Sequence, residues 1–123
     1  MKRILIIDDS ATILLSMEGV LAKAGYAIDK ASSGEQALTM LNDGLRPDLI
    51  ITDLYMGAMT GTDLIRLARQ VTGLRFTPML MVTTESQQDK RIDAKTAGAT
   101  GWLVKPVAPA ALLQVVRQVL PER

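Results

Sequence analysis

The sequence predicts an α/β fold in which five parallel strands form one doubly wound sheet with helices on both faces. Two observations lead to this prediction. Short apolar runs alternate with longer segments of helical spacing five times along the chain, and strict alternation of this kind is typical of parallel sheets with right-handed crossovers. Four of the five runs are apolar and bounded by polar or turn residues, as expected for strands buried on both faces.

Polar side chains follow four of these runs, at the point where each strand ends. The runs are residues 4–7, 49–52, 79–82 and 102–104, and they are followed by Asp8-Asp9, Asp53, Thr83-Thr84 and Lys105-Pro106. The fifth run, residues 26–31, is predicted to form a partly exposed second strand. In open α/β sheets the functional groups meet beyond the carboxyl ends of the strands. Three carboxylates, a hydroxyl and an ammonium are therefore expected to converge there.

The segments between the strands have the apolar spacing and the boundary residues of helices. Ser10 is placed to cap the first helix and Gly25 to end it. Ser33, with Gln36 three residues later, resembles a capping box for the second helix, which stops near Gly44. The remaining helices are predicted over residues 60 to about 71, over residues 87–97, and from Pro109 onward.

Composition restricts the chemistry that the chain can perform. It has 123 residues, of which 48% are hydrophobic and 22% are charged, which suits one globular domain spanning residues 1–123. Cysteine and histidine are absent, which excludes disulfides, thiolate nucleophiles, the usual zinc sites and Ser-His triads. Any reaction must therefore use carboxylates, hydroxyls, lysines or a hard metal ion.

Charge and hydropathy give no indication of binding to nucleic acid or membranes. The formal net charge is +1, and no apolar segment approaches the length of a membrane span. Basic residues precede the first apolar run, but Asp8 ends that run after four residues, which indicates a strand and not a signal peptide. A cytoplasmic protein with no direct contact to nucleic acid and no membrane insertion is expected.

The three carboxylates at the strand ends predict a cation site. Asp8, Asp9 and Asp53 would raise one another's pKa, so the cluster either takes up a proton or binds a cation. Mg²⁺ fits, because it accepts one or two carboxylates and keeps room for waters and a phosphate oxygen. It would also let an anionic phosphoryl donor approach. Asp53 is then the candidate nucleophile toward phosphorus, with Lys105 and Thr83 as donors to the phosphoryl oxygens.

In order and spacing these residues resemble the response-regulator receiver domain family in its single-domain, CheY-like form. The resemblance covers nearly the whole chain and also includes Met56, Gly61 and the run at residues 97–101. It implies a flavodoxin-like (βα)5 fold with strand order 2-1-3-4-5. It further implies a phosphoacceptor signalling protein of a two-component system. Such a protein is not an enzyme beyond Mg²⁺-dependent self-phosphorylation on Asp53 and slow self-dephosphorylation.

The resemblance assigns roles to individual site residues. Asp9, Asp53 and the main-chain carbonyl of Tyr55 would bind Mg²⁺ directly, and Asp8 would act mainly through a metal-bound water. Lys105 would contact the phosphoryl group, and its bond to the following proline is expected to be cis, which an X-Pro bond allows at modest cost.

Further positions are implied to control the switch and the lifetime of the phosphorylated state. Thr83 would move toward the phosphoryl group, and Trp102, in the place of the family's usual Tyr or Phe, would turn into the vacated space. Tyr55 and Glu85 occupy the positions that tune the phosphoryl lifetime. Gly57 departs from the family, which often has proline there, so a looser loop is expected.

The implied partners are other proteins. The phosphoryl donor would be a sensor histidine kinase, a phosphotransfer protein or a small phosphodonor, because the chain has no histidine of its own. An unidentified target protein would bind the face built from residues 87–97, the Trp102 strand and the last helix. A monomer or a weak phosphorylation-dependent dimer is expected. Met1 and the tail at residues 121–123 fit a complete protein as well as a receiver excised from a longer regulator.

Three other functions fit parts of the pattern. A phosphohydrolase of the haloacid dehalogenase type has its second Asp two residues after the nucleophile, where this chain has Ser10. A flavodoxin would bring a flavin phosphate to Asp8 and Asp9, which repel it, and only 3% of the residues are aromatic. The third is a phosphate-independent, receiver-like adaptor. Gly57 keeps this alternative open although every core site residue is present.

Overall fold

The computed structural model describes residues 1–120, in which strands and helices alternate strictly. The strands are β1 (Arg3–Ile7), β2 (Ala27–Ala31), β3 (Leu49–Thr52), β4 (Met79–Thr83) and β5 (Gly101–Val104). The helices are α1 (Ala11–Lys23), α2 (Gly34–Asn42), α3 (Gly61–Ala68), α4 (Gln88–Ala97) and α5 (Pro109–Val119). Within this part of the chain no helix is long and apolar enough to cross a membrane. The predicted alternation is confirmed.

The five strands form one parallel sheet in the order β2-β1-β3-β4-β5. The chain changes winding direction between β1 and β3, and ligands bind open α/β sheets at such switch points. The register pairs Ile7 with Thr52 and Thr52 with Met81, so the residues that follow these strands emerge side by side. The flavodoxin-like fold with strand order 2-1-3-4-5 is confirmed.

The sheet separates two hydrophobic clusters, one on each face. The first cluster contains residues of α2, α3 and α4, and the second contains residues of α1 and α5. Along β1, Leu5 and Ile7 belong to the first cluster, whereas Ile4 and Ile6 belong to the second, because successive side chains of a strand point to opposite faces. Both faces of the central strands are buried, which explains why these runs are apolar.

Helix boundaries follow local hydrogen bonds. The hydroxyl of Ser10 accepts a main-chain N–H three residues on, and Thr60 and Asp63 form a reciprocal capping box at the start of α3. Helix α3 ends at Ala68, before the predicted end near Val71. There the α-helical pattern gives way to N–H bonds that reach back only three residues, which form a tighter turn.

The predicted capping box at the start of α2 is only half present. The Ser33 hydroxyl accepts the N–H of Gln36 at 3.0 Å. The Gln36 side chain, however, accepts the main-chain N–H and the hydroxyl of Ser32, and not the N–H of Ser33. The reciprocal bond is therefore displaced by one residue toward β2.

Candidate functional site

Three carboxylates lie together at the carboxyl edge of the sheet. Asp8 and Asp9 follow β1 and Asp53 follows β3. Each offers one oxygen, and these oxygens all lie within 4.8 Å of one another. Asp8 is buried, Asp53 is half-buried and Asp9 is exposed. A donor set made only of carboxylate oxygens suits a hard cation such as Mg²⁺.

Lys105 reaches this cluster from the end of β5. Its Nζ donates to Oδ2 of Asp8 at 2.7 Å and to Oδ2 of Asp53 at 3.1 Å. The Lys105 main-chain N–H donates to the carbonyl of Thr83 at 2.8 Å, which anchors the residue against β4. The bond to Pro106 is cis, as predicted. One ammonium thus joins carboxylates that are 97 and 52 positions away in the chain.

The ammonium of Lys105 is held in its charged form. Burial by itself lowers the pKa of Lys105. The hydrogen bonds that it donates to Asp8 and Asp53, together with their negative charges, outweigh burial, so that the pKa is raised above its usual 10.5. The lysine side chain is 14% exposed and the Asp8 side chain only 4%. The site therefore keeps a fixed positive charge beside a buried carboxylate at neutral pH.

The main chain holds the Asp53 carboxylate in place. Its Oδ1 accepts the N–H of Leu54 at 2.6 Å, and the Asp53 N–H donates to the carbonyl of Ile7 at 3.0 Å. Gly61, the first residue of α3, packs directly on Asp53, because a Cβ at this glycine would collide with the Asp53 carbonyl oxygen. The glycine that the resemblance singled out is thus required by the close approach of α3 to the candidate acceptor.

Thr83 ends β4, between the strands that precede Asp53 and Lys105. The residue is fully buried, and its hydroxyl accepts the N–H of Glu85 at 3.4 Å. In this conformation the hydroxyl therefore bonds to the loop that leads into α4. A movement of Thr83 toward Asp53 would break this contact with Glu85.

Tyr55 and Glu85 are joined across the loops that follow β3 and β4. The Tyr55 hydroxyl donates to Oε1 of Glu85 at 2.5 Å. This bond is the main cause that raises the pKa of Tyr55 above 10.0 and lowers the pKa of Glu85 below 4.5. The sequence placed both residues near the site but did not indicate that they bind each other. Their equal offset of two residues beyond neighbouring strand-end residues, Asp53 and Thr83, is the signal that could have indicated the pair.

Trp102 lies in β5 beside the same loop. Its indole Nε1 donates to the main-chain carbonyl of Glu85 at 3.1 Å, and its ring packs against the first hydrophobic cluster. The indole is therefore already half-buried and hydrogen-bonded. A rotation of Trp102 would have to break the bond to Glu85.

Gly57 has a backbone conformation that proline could not adopt. Its φ angle is +99°, whereas the proline ring fixes φ near −65°. The loop between β3 and α3 therefore follows a path that proline at this position would not allow, while its greater looseness stays a prediction. Met56, one residue earlier, is buried in the first cluster, so the loop is anchored on the side of Asp53.

Fold and site together define a flavodoxin-like α/β domain whose switch point carries carboxylates and a lysine. The response regulator receiver domain family matches residues 4–117. The chain belongs to this family.

Known proteins similar to this chain include single-domain members of the family. The chain is 36% identical to the chemotaxis protein CheY of Pseudomonas aeruginosa, over 95% of this chain and 94% of that protein. It is 31% identical to the protein PilH of the same organism, over 98% of each. The solved structure of Vibrio cholerae chemotaxis protein CheY4 matches with a TM-score of 0.93 and 40% identity, over 98% of this chain and 99% of that one. The chain is thus a two-component phosphoacceptor signalling domain and not a classical enzyme.

Proposed function

We propose that the chain is a single receiver domain, spanning residues 1–123, that takes a phosphoryl group onto Asp53 in a Mg²⁺-dependent reaction. The donor is a partner histidine kinase, a phosphotransfer protein or a small acyl phosphate. One observation carries the proposal, namely that the Lys105 ammonium lies between Asp8 and Asp53 at the edge where the carboxylates cluster. This arrangement provides a nucleophile, a cation site and a fixed positive charge in one place.

The donor set fits Mg²⁺. Asp8, Asp9 and Asp53 present oxygens within 4.8 Å of one another, and Mg²⁺ prefers such oxygen ligands while retaining waters. Asp9, Asp53 and the main-chain carbonyl of Tyr55 would hold the ion directly, with Asp8 acting through a water. The bound ion would neutralise the carboxylates and orient the oxygens of the incoming phosphoryl group.

Transfer is a displacement at phosphorus. A carboxylate oxygen of Asp53 attacks, the bond from phosphorus to the imidazole nitrogen or acyl oxygen of the donor breaks, and that leaving group departs with the electron pair. An acyl phosphate on Asp53 results. The Lys105 ammonium moves its hydrogen bond from Asp53 to a phosphoryl oxygen, and the Thr83 hydroxyl donates to another. Later attack by water on phosphorus breaks the bond to the Asp53 oxygen, releases inorganic phosphate and restores the carboxylate.

The phosphorylated state is read by a partner protein. Phosphorylation adds charge and acceptor oxygens, and the resulting movements of Thr83 and Trp102 alter the face formed by α4, β5 and α5. Ile92 and Val104 on this face are 54% and 43% exposed, which provides apolar contact area for a target. The target must bind the phosphorylated conformation more tightly than the other one.

Intact mass spectrometry after incubation with acetyl phosphate tests the proposal. We expect a gain of one phosphoryl group that requires Mg²⁺ and is lost in Asp53→Asn. The matched control is Asp93→Asn, which removes an exposed carboxylate on α4 and should leave the gain unchanged. If the unmodified chain gains no mass under any condition, the phosphate-independent adaptor replaces this proposal, and the α4-β5-α5 face becomes the place to look for function.

A further inference from the structure

Glu85 uses both of its carboxylate oxygens. Oε1 accepts the Tyr55 hydroxyl, and Oε2 accepts the main-chain N–H groups of Ser86 and Gln87, each at 3.1 Å. Helix α4 begins after Gln87, whose own side chain makes no capping bond. The Glu85 carboxylate therefore orders the loop that enters α4 and ties this loop to Tyr55. These three donors occupy most of the acceptor positions of the carboxylate.

The main chain of Glu85 holds Trp102. Its carbonyl accepts the indole N–H at 3.1 Å, and its N–H donates to the Thr83 hydroxyl at 3.4 Å. One residue thus contacts Tyr55 with its side chain and Trp102 and Thr83 with its backbone. A displacement of Glu85 would change the surroundings of the indole, because the Glu85 carbonyl is the acceptor of the indole N–H.

The phosphoryl site lies within reach of this arrangement. Tyr55 is two residues from Asp53, which limits the separation of their Cα atoms to about 7 Å. A phosphoryl group on Asp53 would carry close to two negative charges and three acceptor oxygens. It would repel the Glu85 carboxylate and offer the Tyr55 hydroxyl a competing acceptor.

We propose that Glu85 is a positioning residue that couples Asp53 to Trp102 through its bond to Tyr55. In the unphosphorylated chain the Tyr55–Glu85 bond holds the loop and the indole in one arrangement. Phosphorylation draws the Tyr55 hydroxyl away from Glu85, and the loop and Trp102 are released together. This coupling rests on the proposed phosphorylation of Asp53, but the link from Tyr55 to Trp102 exists without it.

The chain offers a clean probe and a matched control for this link. Trp102 is the only tryptophan, and there are only two tyrosines. Tyr26 is buried in the second cluster, on the opposite face of the sheet from the ring of Trp102. Acrylamide quenching of Trp102 in the full chain, without phosphodonor, is therefore compared in Tyr55→Phe, Glu85→Gln, the double variant and Tyr26→Phe.

We expect Tyr55→Phe to raise the quenching constant roughly twofold or more, because the loop beside the indole loses one of the bonds that hold it. Glu85→Gln should also raise it, since an amide cannot accept from Tyr55, Ser86 and Gln87 together. The double variant should fall short of the sum of the two singles, because both substitutions weaken the Tyr55–Glu85 bond. Tyr26→Phe should match the unmodified chain. Equal quenching in Tyr55→Phe and the unmodified chain would overturn the proposal, and so would fully additive effects in the double variant.

Treatment with acetyl phosphate and Mg²⁺ tests the coupling to Trp102 separately from the proposed phosphorylation of Asp53. Phosphorylation confirmed by mass should change Trp102 quenching in the unmodified chain, and change it much less in Tyr55→Phe, in which the link is already broken. A mass gain with unchanged Trp102 quenching would refute the coupling. No mass gain, together with raised quenching in Tyr55→Phe, would refute phosphorylation of Asp53 and retain the link.

Discussion

Two largely covered cations, Lys105 and Arg69, lie at opposite edges of the sheet and have different kinds of partner. Lys105 follows β5 at the carboxyl edge and binds two carboxylates, Asp8 and Asp53. Arg69 follows α3 at the amino edge and binds main-chain carbonyls. These are the carbonyls of Leu74, Arg75 and Thr77, which precede β4, and of Gly98, which ends α4.

The different partners indicate different roles for the two cations. Within residues 1–120 no carboxylate lies at salt-bridge distance from Arg69, and burial lowers its pKa. The Leu74 carbonyl also accepts the N–H of Thr77 at 3.3 Å, and through its bonds to Thr77 and Gly98 the guanidinium joins the end of α3 to the start of β4 and to the end of α4. The carboxylates around Lys105 are instead the proposed ligands of a cation, and Asp53 is the proposed phosphoacceptor. Stability is expected to depend more on the amino edge, and chemistry on the carboxyl edge.

Arg69→Met should have the largest effect on stability. The substitution leaves several main-chain carbonyls without a partner, and we expect a loss of about 2–4 kcal/mol in the free energy of unfolding. Urea denaturation measures this loss. Arg66→Met, which removes an exposed pair with Asp63, is the control and should cost less than about 1 kcal/mol. Equal stability of the two variants would contradict the role given to Arg69.

Lys105→Met should have a smaller effect that depends on Mg²⁺. Without Mg²⁺ the buried carboxylate of Asp8 loses its cation, and a loss of about 1–3 kcal/mol is expected. Added Mg²⁺ should narrow the difference in stability between Lys105→Met and the unmodified chain, because without the competing ammonium the carboxylate cluster would bind the ion more tightly. The same addition should leave the gap between Arg69→Met and the unmodified chain unchanged. An exposed-lysine control, Lys95→Met, should shift stability by no more than about 0.5 kcal/mol.

Alkaline pH should have the smallest of the three effects on stability, and this effect should differ between the Lys105 and Arg69 variants. The folded pKa of Lys105 is raised above 10.5, so its contribution to stability is fully present below pH 10.5 and is lost as the pH rises through the folded pKa. The stability gap between Lys105→Met and the unmodified chain should therefore shrink in that window. The stability difference for Arg69→Met should persist through that window, because burial lowers the pKa of Arg69 from a value well above that of lysine and a guanidinium stays charged in proteins. If the stability difference between Lys105→Met and the unmodified chain is constant through the alkaline range, the ion pairs of Lys105 do not stabilise the fold.

The carboxyl edge could be predicted from sequence because local patterns determine it. Each buried strand is visible as an apolar run, and parallel topology brings the residues that follow the runs to one edge. Asp8, Asp53 and Lys105 could therefore be grouped before any contact was known. Their roles in phosphoryl transfer remain predictions.

The contacts that sequence did not predict depend on how loops and helix ends pack. Arg69 falls within the predicted helix at residues 60–71, where it resembles any polar surface residue. Its role becomes visible only when the segment before β4 and the end of α4 surround it. The Tyr55–Glu85 bond likewise requires the paths of two loops, one of which turns at Gly57 with a positive φ angle. Sequence spacing can suggest such a pair, but the paths of the loops determine whether it forms.

The most direct test of Asp53 as the phosphoacceptor is to identify the residue that carries the phosphoryl group after reaction with acetyl phosphate and Mg²⁺. Borohydride reduces an aspartyl phosphate to homoserine, and peptide mass spectrometry then identifies the residue. We predict homoserine at Asp53 alone, with Asp8 and Asp9 unchanged. Homoserine at Asp8 or Asp9, or none in a chain whose intact mass has risen, would contradict Asp53 as the acceptor.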